Sequence, residues 1–285
     1  MSEPLLRASN LVKEFAVHGG GLLGRTAKLR AVDDVSLEVG TGETLALVGE
    51  SGSGKSTTAR LIARLIDTTE GTIEFDGREV HALTGKDLHA YRCEVQMVFQ
   101  DPYSSLNPKH TVERIVTAPL VYQKRPIPGG ARAFTKALME RVGLNPDHSA
   151  RFPAQFSGGQ AQRIGIARAL AVSPRLIIAD EAVSALDVSV QAQVINLLKR
   201  LQDEEGFSYL FIAHDLAVVR QIATRVAVMN EGRIVEQGGR DAVFGDPQDP
   251  YTRKLLAAVP RIRPEWDAAR RRNEAARRDR QEAGK

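Results

Sequence analysis

The chain of 285 residues contains one cysteine, one tryptophan and an aromatic share of only 5%. A single thiol, Cys93, excludes an intrachain disulfide, a four-cysteine zinc site and an all-cysteine iron–sulfur cluster; it reads as a buried, inert side chain. No apolar run approaches the roughly 18 residues that a membrane-crossing helix needs. Met1-Ser2-Glu3-Pro4 lacks a basic segment followed by an apolar one, so no secretory leader is expected and the cytosol is the compartment suggested. No internal repeat marks two tandem copies of one unit. Excess charge is scarce too. The net +4 is carried by Arg261 to Lys285, where eight arginines and one lysine face five acids. The remainder is neutral, which argues against nucleic acid as a partner. Such a run reads as a solvated helical or frayed tail, with contact to anionic lipid head groups as the alternative.

What is present is an ordinary globular composition, 42% hydrophobic and 26% charged. Strand-like runs alternate with helical periodicity, which predicts an α/β fold around a largely parallel sheet. Thr44-Leu45-Ala46-Leu47-Val48, Leu176-Ile177-Ile178-Ala179 and Tyr209-Leu210-Phe211-Ile212-Ala213 read as buried strands, the last two ending at polar residues. A parallel sheet binds ligands at that edge. Helices are predicted over Lys55–Ile66, Ala131–Val142 (Gly143 as its cap) and Val188–Asp203, the last stopped near Gly206. From about Asp101 to Phe156 no strand is predicted, so this stretch reads as a helical insert. Past Gly239 the pattern turns to Gly245-Asp246-Pro247 and Asp249-Pro250, read as turns.

Three motifs carry chemistry. Gly49-Glu50-Ser51-Gly52-Ser53-Gly54-Lys55-Ser56 lies between a strand and a helix. Its glycines let backbone N–H groups wrap a phosphate at a helix N-terminus. Lys55 can reach the β- and γ-phosphates, and the Ser56 hydroxyl can ligate Mg²⁺. A second cluster, His18-Gly19-Gly20-Gly21 with Gly24, lacks the Gly-Lys-Ser ending and reads as a flexible surface loop. The second motif is Asp180-Glu181 after an apolar strand. Adjacent carboxylates at a sheet edge are costly unless a cation or a proton transfer uses them. Asp180 suits the Mg²⁺ shell, and Glu181 suits a general base that polarises water. The third is Phe156-Ser157-Gly158-Gly159-Gln160 at the start of a helix. Ser157 with Gln160 is a capping box, yet a capping box does not call for two glycines, which would bare the helix tip to a phosphate.

Taken together, these motifs resemble the ATP-binding-cassette (ABC) family over about residues 5 to 260. The resemblance implies a RecA-like phosphate-loop core with an N-terminal antiparallel β element and a helical insert near 101–158, in a nucleotide-binding domain spanning 1–260 with a tail at 261–285. It implies ATP and Mg²⁺ as cofactors. The nucleotide-binding residues run from Gly49 to Ser56 and on to Thr57. Ser157, Gly158, Gly159 and Gln160 match the signature motif. Gln100 matches the glutamine loop that touches Mg²⁺, Asp187 closes the D-loop Ser184-Ala185-Leu186-Asp187, and His214 matches the switch histidine. Glu181, His214 and Lys55 are the implied catalytic residues; Ser56, Gln100 and Asp180 surround the metal. Phe15 is the best match to an adenine-stacking aromatic, an interaction of about 1–3 kcal/mol, although alone it reads equally as core.

Within the family the resemblance is strongest to ATPase subunits of oligopeptide and dipeptide importers. Val98-Phe99-Gln100-Asp101-Pro102-Tyr103-Ser104-Ser105-Leu106-Asn107-Pro108, Phe156, Val188-Ser189-Val190-Gln191-Ala192-Gln193 and Asp249-Pro250-Tyr251-Thr252-Arg253 carry it. Ala182 departs from it, standing where that group usually has proline. Implied partners are a second ATPase subunit (a paralogue rather than an identical copy), two transmembrane permease subunits and, indirectly, an extracytoplasmic solute-binding protein. The implied place is the cytoplasmic face of the plasma membrane. Similar systems carry peptides, nickel or glutathione, and the ATPase does not touch the cargo. A non-transport member acting on DNA or ribosomes is the competing reading. The spacing of about a hundred residues from Lys55 to Ser157, without sustained heptads, disfavours it.

Overall fold

A computed structural model describes residues 3–18 and 26–258. The glycine cluster at 19–24 and the charged tail at 261–285 lie outside the described residues. Strands β1 (Leu6–His18) and β2 (Thr26–Val39) pair antiparallel. β3 (Thr44–Val48) leads through the glycine-rich loop into α1 (Lys55–Ile62). β4 (Glu70–Phe75) and β5 (Arg78–Glu79) complete a four-stranded antiparallel sheet ordered β2-β1-β4-β5. Next come α2 (Gly85–Glu94), β6 (Val95–Val98), α3 (Pro102–Ser105), α4 (Val112–Tyr122) and α5 (Ala131–Arg141). No strand occurs between 101 and 156, as the sequence predicts. The rest comprises α6 (Gly158–Leu170), β7 (Leu176–Asp180), α7 (Val188–Glu205), β8 (Ser208–Ala213), α8 (Leu216–Ile222), β9 (Arg225–Asn230), β10 (Arg233–Gly239), α9 (Arg240–Gly245) and α10 (Pro250–Ala257).

The second sheet has six strands in the order β10-β9-β3-β8-β7-β6. All its pairings are parallel except the edge pair β9–β10. Its inner strands β3, β8 and β7 are buried throughout because both faces are covered, as parallel sheets require. Alternation along each strand divides the side chains between two cores. Ala46, Val48, Ile177, Ala179, Tyr209 and Phe211 face one cluster, which α4 to α8 complete. Leu45, Leu47, Leu176, Ile178, Leu210 and Ile212 face the other, shared with α1 and the antiparallel sheet. The result is three layers, with every parallel strand pointing its carboxyl end to the same edge.

Three local expectations need correction. Helix α1 stops at Ile62 rather than Ile66. Arg64 adopts a left-handed conformation (φ 53°), while Leu65 N donates to Arg60 O and Arg64 N to Leu61 O. This is a Schellman end formed without the usual glycine. The segment past Gly239 is not only turns: Asp249-Pro250 is an N-cap and first-turn proline that starts α10. Cys93 is half-buried rather than buried, and its Sγ–H donates to Gln123 Oε1.

Ile178 on β7 is fully buried in the core shared with α1. Ile178→Ala is expected to lower stability by about 2–5 kcal/mol, read as a shift of the urea unfolding midpoint.

Candidate nucleotide site

Four of the predicted motifs converge because of strand order. In the parallel sheet β3, β8, β7 and β6 are consecutive neighbours. Their carboxyl ends carry the glycine-rich loop (after Val48), His214 (after Ala213), Asp180-Glu181 and Gln100 (after Val98). The register is even, with Val48 opposite Ala213, Asp180 opposite Ile212 and Val98 opposite Ala179. Residues far apart in the chain therefore stand side by side along one edge.

The loop is held open from beneath. Gly49 (φ 154°) and Gly54 (φ 106°) lie against other backbone: a Cβ on Gly49 would stand 2.1 Å from Met229 O, and one on Gly54 2.4 Å from Ala31 O. The Gly232 N–H donates to Ser53 O at 3.0 Å, so the β9–β10 turn braces the loop. Gly54 caps α1 with no side chain to receive the first-turn N–H groups. Those donors are therefore available to an anion. Lys55 is buried, and its Nζ donates to Gly49 O (2.9 Å) and Glu50 O (2.7 Å). Burial lowers its pKa, with the Glu181 and Asp180 carboxylates opposing that shift.

Ser56 Oγ donates to Asp180 Oδ1 at 2.8 Å, joining the loop to β7. Asp180 is buried, and that burial raises its pKa against the opposing effect of the Ser56 bond. A buried carboxylate beside a hydroxyl suits a hard cation. Among the described residues, no group of three or more His, Cys, Asp or Glu is set to hold a metal alone. The one carboxylate of Asp180 beside the Ser56 hydroxyl fits Mg²⁺, which takes one or two carboxylates together with phosphate oxygens. Glu181 follows in a left-handed conformation (φ 49°), a strained state for a non-glycine residue. Its Oε2 lies 3.2 Å from His214 Nδ1; the Glu181 side chain is 17% exposed and that of His214 55%. The turn behind Glu181, which includes Ala182, is closed by Ser184 N and Ser184 Oγ, both donating to Glu181 O.

The remaining predicted residues lie farther out. Ser157 and Gln160 form the predicted capping box: Ser157 N donates to Gln160 Oε1 (3.0 Å) and Gln160 N to Ser157 Oγ (3.4 Å). Gly159 packs closely on Val190, whose Cγ1 would stand 2.3 Å from a Cβ added there and would have to shift. Asp187 caps α7, accepting from Val190 N (3.0 Å) and Ser189 Oγ (2.7 Å). Gln100 is exposed just beyond β6, and Thr57 is half-buried in the first turn of α1. Phe15 is 38% exposed on β1 with Lys13 Nζ 5.3 Å from its ring, so the core reading of Phe15 does not hold. Two hydroxyls had no signal in the sequence beyond their place in longer matches. Tyr103 donates to Phe156 O at 2.8 Å, one residue before the signature serine, and Tyr251 accepts from Glu50 N at 3.0 Å.

With this geometry in hand, the family is decided by a model described as "ABC transporter", which matches residues 32–184, more than half of the chain. The chain belongs to the ABC transporter family. A second model, "Oligopeptide/dipeptide transporter, C-terminal region", matches residues 235–285. Among curated relatives, the chain is 54% identical over 263 residues to the glutathione import ATP-binding protein GsiA of Escherichia coli (strain K12), covering 92% of this chain and 42% of that protein. The protein of the same name from Pectobacterium atrosepticum is 52% identical over 259 residues, covering 91% and 42%. The chain thus spans about two fifths of the length of these relatives. Among solved structures, the dimeric, post-hydrolysis ABC protein MJ0796 bound to ADP and Pi superposes with a TM-score of 0.72 at 30% identity, covering 82% of this chain and 98% of that one. CbiO1 from Clostridium perfringens, part of the ABC transporter complex cbiONQ, gives 0.73 at 26%, covering 92% and 98%.

In this ABC cassette, the raised pKa of Asp180 sets a sign for pH dependence. Its contribution to stability is full below the ordinary carboxylate pKa and is lost as pH rises through the raised value. At neutral pH the ionised, buried group is a net cost to the empty protein. Asp180→Asn, which keeps an acceptor for Ser56, is expected to leave the nucleotide-free melting temperature equal or higher at pH 7, with the difference narrowing toward pH 4. Differential scanning calorimetry across that range checks it, and a markedly lower midpoint at pH 7 would contradict it.

Proposed function

We propose that this chain hydrolyses ATP to drive import of peptides, or of a related small solute such as glutathione, through a separate membrane permease. The convergence of the phosphate loop, Asp180-Glu181, His214 and Gln100 on one sheet edge carries the hydrolytic part. The match of residues 235–285 to the oligopeptide and dipeptide transporter region, and the import named for the relatives, support the transport part. No described helix is long and apolar enough to cross a membrane; in this reading the path through the membrane belongs to the permease, with the chain at its cytoplasmic face.

In this reading the loop N–H groups and Lys55 hold the phosphates, and Phe15 offers its exposed ring to the adenine. Ser56, Asp180 and Gln100 would hold Mg²⁺, which supplies charge neutralisation for the β- and γ-phosphates when bound. Glu181 orients and polarises the attacking water, and His214, 3.2 Å away, reports on the γ-phosphate from the next strand. Lys55 exchanges its carbonyl partners for phosphate oxygens. Ser157, Gly158, Gly159 and Gln160 serve a nucleotide held by a second subunit, paralogue or identical copy. Two observations favour this assignment in trans: the hydrogen bonds of Ser157 and Gln160 are to each other rather than to the loop, and MJ0796 is dimeric. The permease helix docks beside the insert, where Tyr103, Val121 and Tyr122 (73% exposed) present apolar surface. Tyr122 also lines a groove with Lys86, His89, Cys93, Lys124 and Arg125.

Glu181→Gln is expected to reduce ATP turnover roughly 10²–10⁴-fold, the usual contribution of a general base, while ATP binding persists; unchanged turnover would remove Glu181 from that role. Ser157→Arg in both subunits of the dimer is expected to abolish hydrolysis while each subunit still binds ATP. Wild-type turnover in that doubly substituted dimer would exclude the shared site.

A further inference from the structure

The last described helix, α10, reaches back to the phosphate loop. The Glu50 N–H donates to the Tyr251 phenolic oxygen at 3.0 Å. Tyr251 is held there by a series of specific bonds. Glu236 on β10 accepts from Gln248 N (2.9 Å) and Asp249 N (3.1 Å), which fixes the turn before α10. The Asp249 carboxylate caps α10, accepting from Tyr251 N (2.8 Å) and Thr252 N (3.3 Å). Arg253 Nε donates to Pro247 O at 2.9 Å, closing the same turn from the other side. The tyrosine ring packs against the core cluster that includes Val48, the last residue of β3.

Glu50 is also where the loop restrains its lysine. Its carbonyl accepts from Lys55 Nζ at 2.7 Å and from Ser53 N at 3.2 Å. The Glu50 N–H also shares one rigid peptide plane with the Gly49 carbonyl, which accepts from Lys55 Nζ at 2.9 Å. Fixing the N–H limits how far the Gly49 carbonyl can turn, and so where the lysine amine and the succeeding N–H donors stand before a phosphate arrives. A loop already in its binding shape loses less conformational freedom when it binds.

We propose that Tyr251 is a positioning residue for the phosphate loop: its phenol oxygen orients Glu50, so nucleotide affinity depends on the docking of α10. The segment matched to the oligopeptide and dipeptide transporter region then tunes the affinity of the site to which it is tied. This rests on the nucleotide-site reading above.

Tyr251→Phe is the test, because it removes one oxygen and keeps the ring against the core. With the full chain, binding of a fluorescent ATP analogue with Mg²⁺ is measured by titration. Backbone hydrogen exchange of the peptide containing Glu50 is followed without nucleotide. The expected results are a dissociation constant raised roughly three- to ten-fold, the scale of one neutral hydrogen bond, and faster exchange at Glu50. In turnover assays the loss should fall on KM for ATP rather than on kcat, a split that general destabilisation would not produce. Unchanged affinity and unchanged exchange in the variant, with a wild-type chain that binds, would overturn the positioning role alone. A wild-type chain that binds no nucleotide would overturn the nucleotide-site reading and this role with it.

Discussion

Lys55, Asp180 and Glu181 are ionisable groups withdrawn from water at the carboxyl edge of a parallel sheet. The buried amine is held by two loop carbonyls, and the buried Asp180 carboxylate by a single serine hydroxyl. Burial works against the charged form of both Lys55 and Asp180. Each therefore gains from a partner of opposite sign that comes from outside. A magnesium-bound triphosphate would supply both signs at once, an anion for the amine and a cation for the carboxylate. The left-handed Glu181, the side-chain-free cap at Gly54 and the glycines pressed against Met229 and Ala31 are the local consequences of holding those groups at one edge.

The rest of the fold maintains that edge. Dividing the strands between two cores fixes the register, because a slip of one residue would exchange the two faces. The helical layer also ties the outlying segments to one another. Tyr103, just past Gln100, donates to Phe156 O, and Arg168 on α6 donates to Ser105 O at 2.6 Å. The segment after the glutamine loop and the start of the signature helix are thus joined through backbone carbonyls. Displacement of α3 would carry the Ser157 tip with it.

Much of this was legible in the sequence. Buried runs such as Thr44–Val48 and Leu176–Asp180 gave their strands away by length and polarity at the ends, and Gly206 marked the end of α7 through its left-handed need. Strand order brings Gln100, His214 and Asp180 to one edge, and only the family resemblance anticipated it, since periodicity carries no order. What escaped depended on tertiary context. Arg64 ends α1 in a conformation that composition assigns to glycine. Val95–Val98 is too short and too polar at Gln96 to announce itself as the edge strand β6. Asp249-Pro250 signals a turn and a helix start equally well, and packing against β10 decides for the helix. The hydroxyls of Tyr103 and Tyr251 act on backbone groups, which no side-chain pattern encodes.

The signature tip bears on the proposal that two cassettes share each site. In the single chain the first turn of α6 satisfies itself through Ser157 and Gln160, but the Gln160 N–H bond to Ser157 Oγ is 3.4 Å long, at the weak end of the useful range. Exchanging that neutral acceptor for a phosphate oxygen trades a poor hydrogen bond for a charge-assisted one, at a helix end that already favours negative charge. Gly159 cannot take a side chain without displacing Val190 of α7, and α7 is itself capped by Asp187 of the loop that begins at Glu181. The tip that would grip a neighbour's phosphate is therefore packed on the helix that follows this chain's own paired acids. In the proposed two-subunit arrangement, a nucleotide closing one site would bear mechanically on the other.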